Sequence, residues 1–345
     1  MRKILYLCAI ILFSSIAANA QVETYANAWS SKKGNLTVAY LNNYPYAYSN
    51  EKGELTGIEI DLIKAFSEWL YTKKGIELTI KYEAYDDFAK FYENVKNKKT
   101  TSIGAGSVTV SSDRARDIKF SSPYLRNKPI LISGVSRLSL TDVRSISKEF
   151  AGLTAVIVKN SNHEKLISQI KENYFPDLKV ELVESPQVVI EKISSGEKYF
   201  GYVDLITYWA SLQKDSKPLK MHRIPGANSE NFAFIFNKAS DWQSAFNEFF
   251  DSGLGFPGTD EYKEILRKHV GSDITNATLA ATGIGAGTYT KITVDTKGRA
   301  TVGAQATTSD IAEGSNLYYT DARARASNSA GTGISYNIGT GVIAV

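Results

Sequence analysis

The 345-residue chain carries 40 Lys and Arg against 36 Asp and Glu, a formal charge of +4, with 43% apolar and 22% charged residues. That is an ordinary globular composition, long enough for about two domains, and its weak positive balance excludes a nucleic-acid binder built on phosphate contacts. The one cysteine, Cys8, excludes a disulfide scaffold; the three histidines, His163, His222 and His269, are widely separated and argue against a zinc site, and nothing calls for a cofactor.

Residues 1–20 read as an export signal. Arg2 and Lys3 give a short positive start, Ile4 to Ile16 an apolar stretch, and Ala18-Asn19-Ala20 a small-x-small cleavage site. The apolar stretch is short of the roughly 20 residues that a spanning helix needs. Cys8 lies inside it, so the mature chain would hold no cysteine, which points to a bacterial periplasm. Residues 21–34 form a linker.

From there strands and helices alternate. Asn35–Leu41 is a strand, and Ile60–Leu70 a helix with Leu62, Phe66, Trp69 and Leu70 on one stripe and Asp61 near the helix start. Ile76–Ile80 is a strand, 86–97 a helix, and Thr101–Ala105 a buried strand. A second series runs through a strand at 153–158, a helix at 162–173, a strand at 179–183, a helix at 186–195 and a strand at 199–203. Two βαβ series predict two α/β lobes with largely parallel sheets, whose ligands bind beyond the carboxyl ends of the strands.

Polar residues at those ends carry the chemistry. A charged ligand group is costly to dehydrate unless paired. Arg114 offers a planar fork that can take a carboxylate, beside a helix start at Ser111-Ser112-Asp113 that favours an anion. Ser107 and Thr109 offer hydroxyl and backbone groups at a strand end.

Three stretches share one pattern. Asn43-Tyr-Pro-Tyr-Ala-Tyr48 with Gly57-Ile-Glu-Ile-Asp-Leu62, Gly106–Arg114 with Phe120-Ser-Ser-Pro-Tyr124, and Gly258-Thr-Asp-Glu-Tyr262 through Gly271 occur in order. Together they resemble the polar amino-acid type of periplasmic solute-binding protein, over about residues 35–271. The resemblance implies a two-lobed fold joined by a double hinge, with lobe one at 35–130 and 230–271 and lobe two at 133–225. It also implies an ABC permease as membrane partner, and no enzymatic activity. Ser107, Thr109 and Arg114 match the ligand residues, Asp204 the acid for the ammonium, and Tyr44 the stacking aromatic. Tyr46, Tyr48 and Tyr85 are expected to line the cleft. The chain would cross between lobes near Lys128–Ser133 and near His222–Phe232, with a bend at Pro225-Gly226.

The pattern also has departures. Lys159-Asn-Ser-Asn162 replaces the family's glycine before a Thr or Ser pair, with Ser161 still able to present its N–H and Asn162 capping the helix. Thr100 or Thr101, and Phe200, stand where an acid is usual. Leu41 stands where binders of cationic side chains often have an aspartate, which points away from basic amino acids.

Residues 272–345 differ in texture: Gly, Ala and Thr make up 36 of the 74, and only 13 are Leu, Ile or Val. Such a tail is too poor in bulky apolar residues for a core of its own and is either β-rich or disordered. Thr288–Val294 reads as a strand, Asp295–Gly298 as a turn and Arg299–Val302 as a return. That hairpin and Asn316–Arg325 resemble bacteriophage tail-fibre repeats, in which three chains share a core, so trimerisation is the implied role. Rival readings are a secreted dehydratase on the same fold, with Asp204 or Glu230 as general acid, and a fibre protein with a binding head. Lytic transglycosylases carry the fold as an accessory domain, but no lysozyme-like stretch follows residue 271.

Overall fold

The computed structural model describes residues 24–98, 102–222, 224, 229–252, 255–280, 291–294, 300–305, 307 and 320–345. The expected export signal, Thr100 and Thr101 and the Pro225-Gly226 bend lie outside the described residues. The chain divides into two compact units, Met1–Thr278 and Leu279–Val345.

The first unit opens with α1 (Tyr25–Ser31), β1 (Lys33–Leu41), the small hairpin β2 (Tyr48–Ser49) and β3 (Leu55–Thr56), α2 (Ile58–Lys74) and β4 (Glu77–Tyr85). Then come α3 (Phe88–Asn97), β5 (Ser102–Thr109), the short α4 (Ser112–Ala115), β6 (Ile118–Phe120) and β7 (Leu125–Asn127). The second sheet is built from β8 (Pro129–Gly134), β9 (Thr154–Val158), β10 (Lys179–Val183), β11 (Tyr199–Asp204) and β12 (Leu219–His222). Around it lie α5 (Ile146–Glu149), α6 (Asn162–Asn173), α7 (Pro186–Ser194) and α8 (Leu205–Asp215). The chain returns through β13 (Glu230–Asn237), α9 (Trp242–Asp251) and α10 (Asp260–Ala280), the last broken by Gly271 at φ 76°.

The first sheet has the order β4-β1-β5-β13-β6, with β7 also on β13; the second runs β10-β9-β11-β8-β12. Each is mixed rather than largely parallel. β4, β1 and β5 are parallel, as are β10, β9 and β11, but β13 runs against β5 and β8 against β11. The reason is the chain's double crossing: β8 and β13 enter each sheet just after leaving the other lobe, and they enter from the opposite end.

Local chemistry sets the elements. Asp87 caps α3 by accepting from Lys90 N at 2.9 Å, and Ser185 caps α7 ahead of Pro186 in its first turn. Gly57 opens α2 at φ 131°, where a Cβ would meet the Tyr46 carbonyl oxygen at 2.2 Å. The expected stripe of α2 is confirmed in Leu62, Phe66 and Leu70, all fully buried. Phe66 packs on Phe246 with ring centroids 3.9 Å apart, and Phe246 also meets Phe234, Phe236 and Phe250. Lobe two has its own core of Leu131, Phe150, Ile157, Ile167 and Phe200.

The second unit holds two small antiparallel hairpins, β14 (Lys291–Val294) with β15 (Ala300–Ala304) and β16 (Ser335–Asn337) with β17 (Val342–Ala344). Between them α11 (Asp321–Ala326) is capped by Thr320, and Arg325 donates to the Gly339 carbonyl at 2.9 Å. The pairing of β14 with β15 matches the strand and return expected there.

Phe246 links four rings of the lobe-one core, Phe66, Phe234, Phe236 and Phe250. Phe246→Ala is therefore expected to cost about 3–5 kcal/mol in a urea unfolding experiment. Tyr71→Ala, at an exposed ring, is expected to change the midpoint little.

Candidate functional site

Arg114 lies on the short α4, directly after β5, where the sheet ends and the lobes meet. Its guanidinium rests over the rings of Phe88 and Tyr92, 5.3 and 5.8 Å from their centroids. Nη1 donates to the Thr109 carbonyl at 3.2 Å and Nη2 to the Asn160 carbonyl of lobe two at 3.0 Å. Asn160 adopts φ 62°, a left-handed conformation that Asn tolerates, and this is how the departing Lys159–Asn162 loop turns its carbonyl toward Arg114. Burial pulls the guanidinium below its ordinary value, opposed by Tyr92 and the Glu230 carboxylate.

Asp204 ends β11 and is 6% exposed. It stands at the first position before α8, yet its carboxylate makes no capping bond. Instead Oδ1 accepts from Asn127 Nδ2 at 2.7 Å and lies 3.3 Å from His163 Nε2. The geometry thus favours a role facing the cleft over a capping role. Glu230, the first residue of β13, completes the group. Its Oε2 accepts from Thr109 Oγ1 at 2.8 Å, and its Oε1 accepts from Asn162 Nδ2. Carboxylate and imidazole atoms of His163, Asp204 and Glu230 all lie within 4.8 Å of one another. Burial lowers the His163 imidazole, but the Asp204 carboxylate outweighs it and leaves the group above its ordinary value.

Arg114 and Asp204 therefore come together on one side of the molecule, between the lobes. Thr109 reaches the same cluster through both its hydroxyl and its carbonyl. The other expected residues are placed differently. Ser107, at φ 46°, gives its N–H to Glu59 Oε1 at 3.0 Å, and its hydroxyl accepts from Asn43 at 3.2 Å. Ser161 caps α6 by accepting from Glu164 N, while its own N–H donates to the Val158 carbonyl at 3.2 Å. The cap is thus one residue earlier than expected, which frees Asn162 for Glu230. Tyr44 is half-buried, edge-on to Tyr48, with Lys214 Nζ of α8 4.8 Å from its ring. Tyr85 is half-buried and packs on Phe91, and Tyr46 is fully buried beside Phe232 instead of lining an open cleft.

Chain separation hid His163, Asn127 and Asn162. Asn162 and His163 begin a helix after β9, so the rule that ligands gather at strand ends was the available signal for them. Asn127, in a hinge strand, had none. Further buried polar atoms lie around the cluster. Asn43 Oδ1 and Asn127 Oδ1 have no hydrogen-bond partner among the described residues. Such atoms cost about 1–3 kcal/mol each when left unpaired. Burial and the nearby Asp204 charge push the Tyr46 phenol well above its usual range.

Glu59, behind Ser107, is fully buried. Its Oε1 accepts from Ser107 N and from Tyr124 Oη at 2.6 Å, whereas Oε2 has no partner among the described residues. Burial pushes its carboxyl up to about 7 against the hydrogen bonds it accepts. A carboxyl raised in the folded state stabilises fully below its unfolded value and loses that contribution as pH rises through the folded value. Thermal stability is expected to fall between about pH 4.5 and pH 7, by on the order of 3 kcal/mol from this group. Glu59→Gln is expected to flatten that slope in melting curves recorded across pH; an unchanged slope would assign it to other groups.

Residues 36–272 match the family described as bacterial extracellular solute-binding proteins, family 3. A substrate-binding protein of an ABC uptake transporter from Streptococcus pneumoniae, solved with bound histidine, is 18% identical with a TM-score of 0.59, covering 72% of this chain and 97% of that one. An ancestral arginine-binding protein bound to glutamine is also 18% identical, with a TM-score of 0.55 over 69% of this chain and 98% of that one. At such identities the likeness is one of fold. Curated relatives include a membrane-bound lytic murein transglycosylase F from Pseudomonas putida, 25% identical over 53% of this chain and 36% of that protein. The Saccharophagus degradans protein of the same name is 24% identical over 72% of this chain and 48% of its own length. The chain thus spans less than half the length of these relatives. Its extent of match, with both lobes included, makes the chain a member of the bacterial extracellular solute-binding proteins of family 3.

Proposed function

We propose that the protein binds a small zwitterion, an amino acid in the first place, between its lobes and presents the closed form to an ABC permease. Residues 1–20 direct the chain to the periplasm in this reading. What supports it is that Arg114 on lobe one and Asp204 on lobe two each bond across to the facing lobe, Arg114 to the Asn160 carbonyl and Asp204 to Asn127. The glutamine and histidine bound in the similar structures support the ligand class.

The action is hinged closure. A ligand carboxylate takes Arg114 Nη2 from the Asn160 carbonyl, and its ammonium takes Asp204 Oδ1 from Asn127 or His163. Where Asn160 and Asn127 are displaced, a bond between opposite charges replaces one with a single ionised partner, so the exchange favours a doubly charged guest over a neutral one. Contacts made to both lobes at once exist only in the closed form, and this difference shifts the population. A micromolar ligand corresponds to about −8 kcal/mol, of which one lost charge pair removes a large share. Leu41, buried at the end of β1, supplies no acid for a cationic side chain, so neutral or acidic guests are favoured.

The named relatives supply a second reading, catalysis on cell-wall material, with Asp204 and Glu230 as the acids. Release of soluble fragments from purified peptidoglycan, abolished in Glu230→Gln, would establish it in place of transport. For the tail, we propose association of three chains through residues 279–345. Size-exclusion with light scattering is expected to give a trimer that becomes a monomer when they are removed.

Against a panel of L-amino acids and related zwitterions, the protein lacking residues 1–20 is expected to melt several degrees higher with at least one compound. Arg114→Met and Asp204→Asn are each expected to abolish that shift with circular dichroism unchanged. A flat response across the panel would remove the zwitterion reading.

A further inference from the structure

Two carboxylates and one imidazole meet where the lobes join, and one guanidinium lies near them. Asp204 and Glu230 set two carboxyl groups beside one guanidinium in a partly dehydrated setting, where a further cation between them is electrostatically favourable. His163 and Asp204 come from lobe two and Glu230 from lobe one, with donor atoms all within 4.8 Å of one another. Zinc, held about 2.0–2.2 Å from each of four tetrahedral ligands, sets its donor atoms roughly 3.4 Å apart. His163 Nε2 and Asp204 Oδ1 already stand at 3.3 Å, and small side-chain rotations bring Glu230 in.

From these residues we infer that His163, Asp204 and Glu230 bind one divalent transition-metal ion across the cleft. The inference goes beyond solute binding, and of the three metal ligands only Asp204 is also a proposed contact of the solute. One nitrogen and two carboxylate oxygens supply three ligands, which leaves a further position for water or a small molecule, as open zinc sites do. The orienting shell is present as well. Asn127 holds Asp204, and Thr109 and Asn162 hold Glu230, which fixes both carboxylates as metal ligands require. The same Asn127 is 3% exposed, and its Oδ1, on the amide that contacts Asp204, is buried with no partner among the described residues. A metal-bound water is a suitable donor to that atom. The spacing of histidines along the chain argued against zinc; the fold answers by recruiting carboxylates from two other strands.

The metal also ties the lobes together, because its ligands come from both. Metal and zwitterion compete for Asp204, so zinc at saturation suppresses the solute response.

The test uses untagged protein stripped with EDTA and titrated with Zn2+ alone, no solute present, against a chromophoric chelator. One Zn2+ per chain is expected, with Mg2+ and Ca2+ unable to compete. His163→Gln and Glu230→Gln are each expected to weaken binding by at least the roughly 10–100-fold that loss of an orienting partner costs. Cu2+ loaded into the intact protein is expected to show a single-nitrogen coupling in its paramagnetic resonance spectrum, a readout that needs no variant. Absence of stoichiometric uptake, or uptake unchanged in both variants, overturns the inference. Zinc uptake with no response to any zwitterion leaves the metal site standing and removes the solute reading; the reverse result does the opposite.

Discussion

Charge neutralisation between the lobes is the constraint on which the architecture turns. Arg114, Asp204, Glu230 and His163 come from four separate stretches, and none tolerates burial alone. The fold brings them to one place by ending β5, β9 and β11 at the same rim and starting β13 there. Three of the four are then satisfied by a partner from the facing lobe: Arg114 by Asn160, Asp204 by Asn127, Glu230 by Asn162. Separation of the lobes breaks these bonds and returns the groups to water, so the same pairs that hold the cleft together set what a guest must replace.

Much of this was legible in the sequence because it rests on local rules. The alternation of apolar runs with amphipathic stretches gave the strands and helices, and the Ser111–Asp113 run gave the start of α4. Arg114 and Asp204 were singled out by the family resemblance, which gave Arg114 a ligand residue's place and Asp204 that of the acid. What local rules do not contain is strand direction after a crossing, so β8 and β13 were not foreseen as antiparallel members of their sheets. Nor do they contain pairings between distant segments. Ser107 looked like a ligand residue because of its place in a motif, yet its N–H is used by Glu59, an acid whose burial no periodicity of α2 singled out. Tyr46 and Tyr48 are two residues apart in one loop, but one is sealed against Phe232 and the other faces His269 edge-on.

The acids of α2 show how burial sorts similar residues into different roles. Glu59 and Asp61 are two positions apart on the first turn. Glu59 has only neutral donors, and its carboxyl rises toward neutrality. Burial acts on Asp61 too, but His269, Lys268 and Lys64 outweigh it and hold the carboxyl well below the usual range. Asp61 thereby fastens α10 to α2, closing lobe one with a segment far along the chain, whereas Glu59 supports the back of the cleft.

The short hinge gives the two ends of the cleft unequal leverage. Only Lys128 separates β7 in one sheet from β8 in the other, and Asp204 pairs in register with Pro129, beside that pivot. Asn160 follows β9, one strand further out, about 4.8 Å more distant in the sheet. In the hinged closure proposed above, rotation about Lys128 would sweep the acid through a small arc and the loop facing Arg114 through a larger one. The inner jaw would then meet a guest before the outer clasp, an order set by the scaffold and not by the guest.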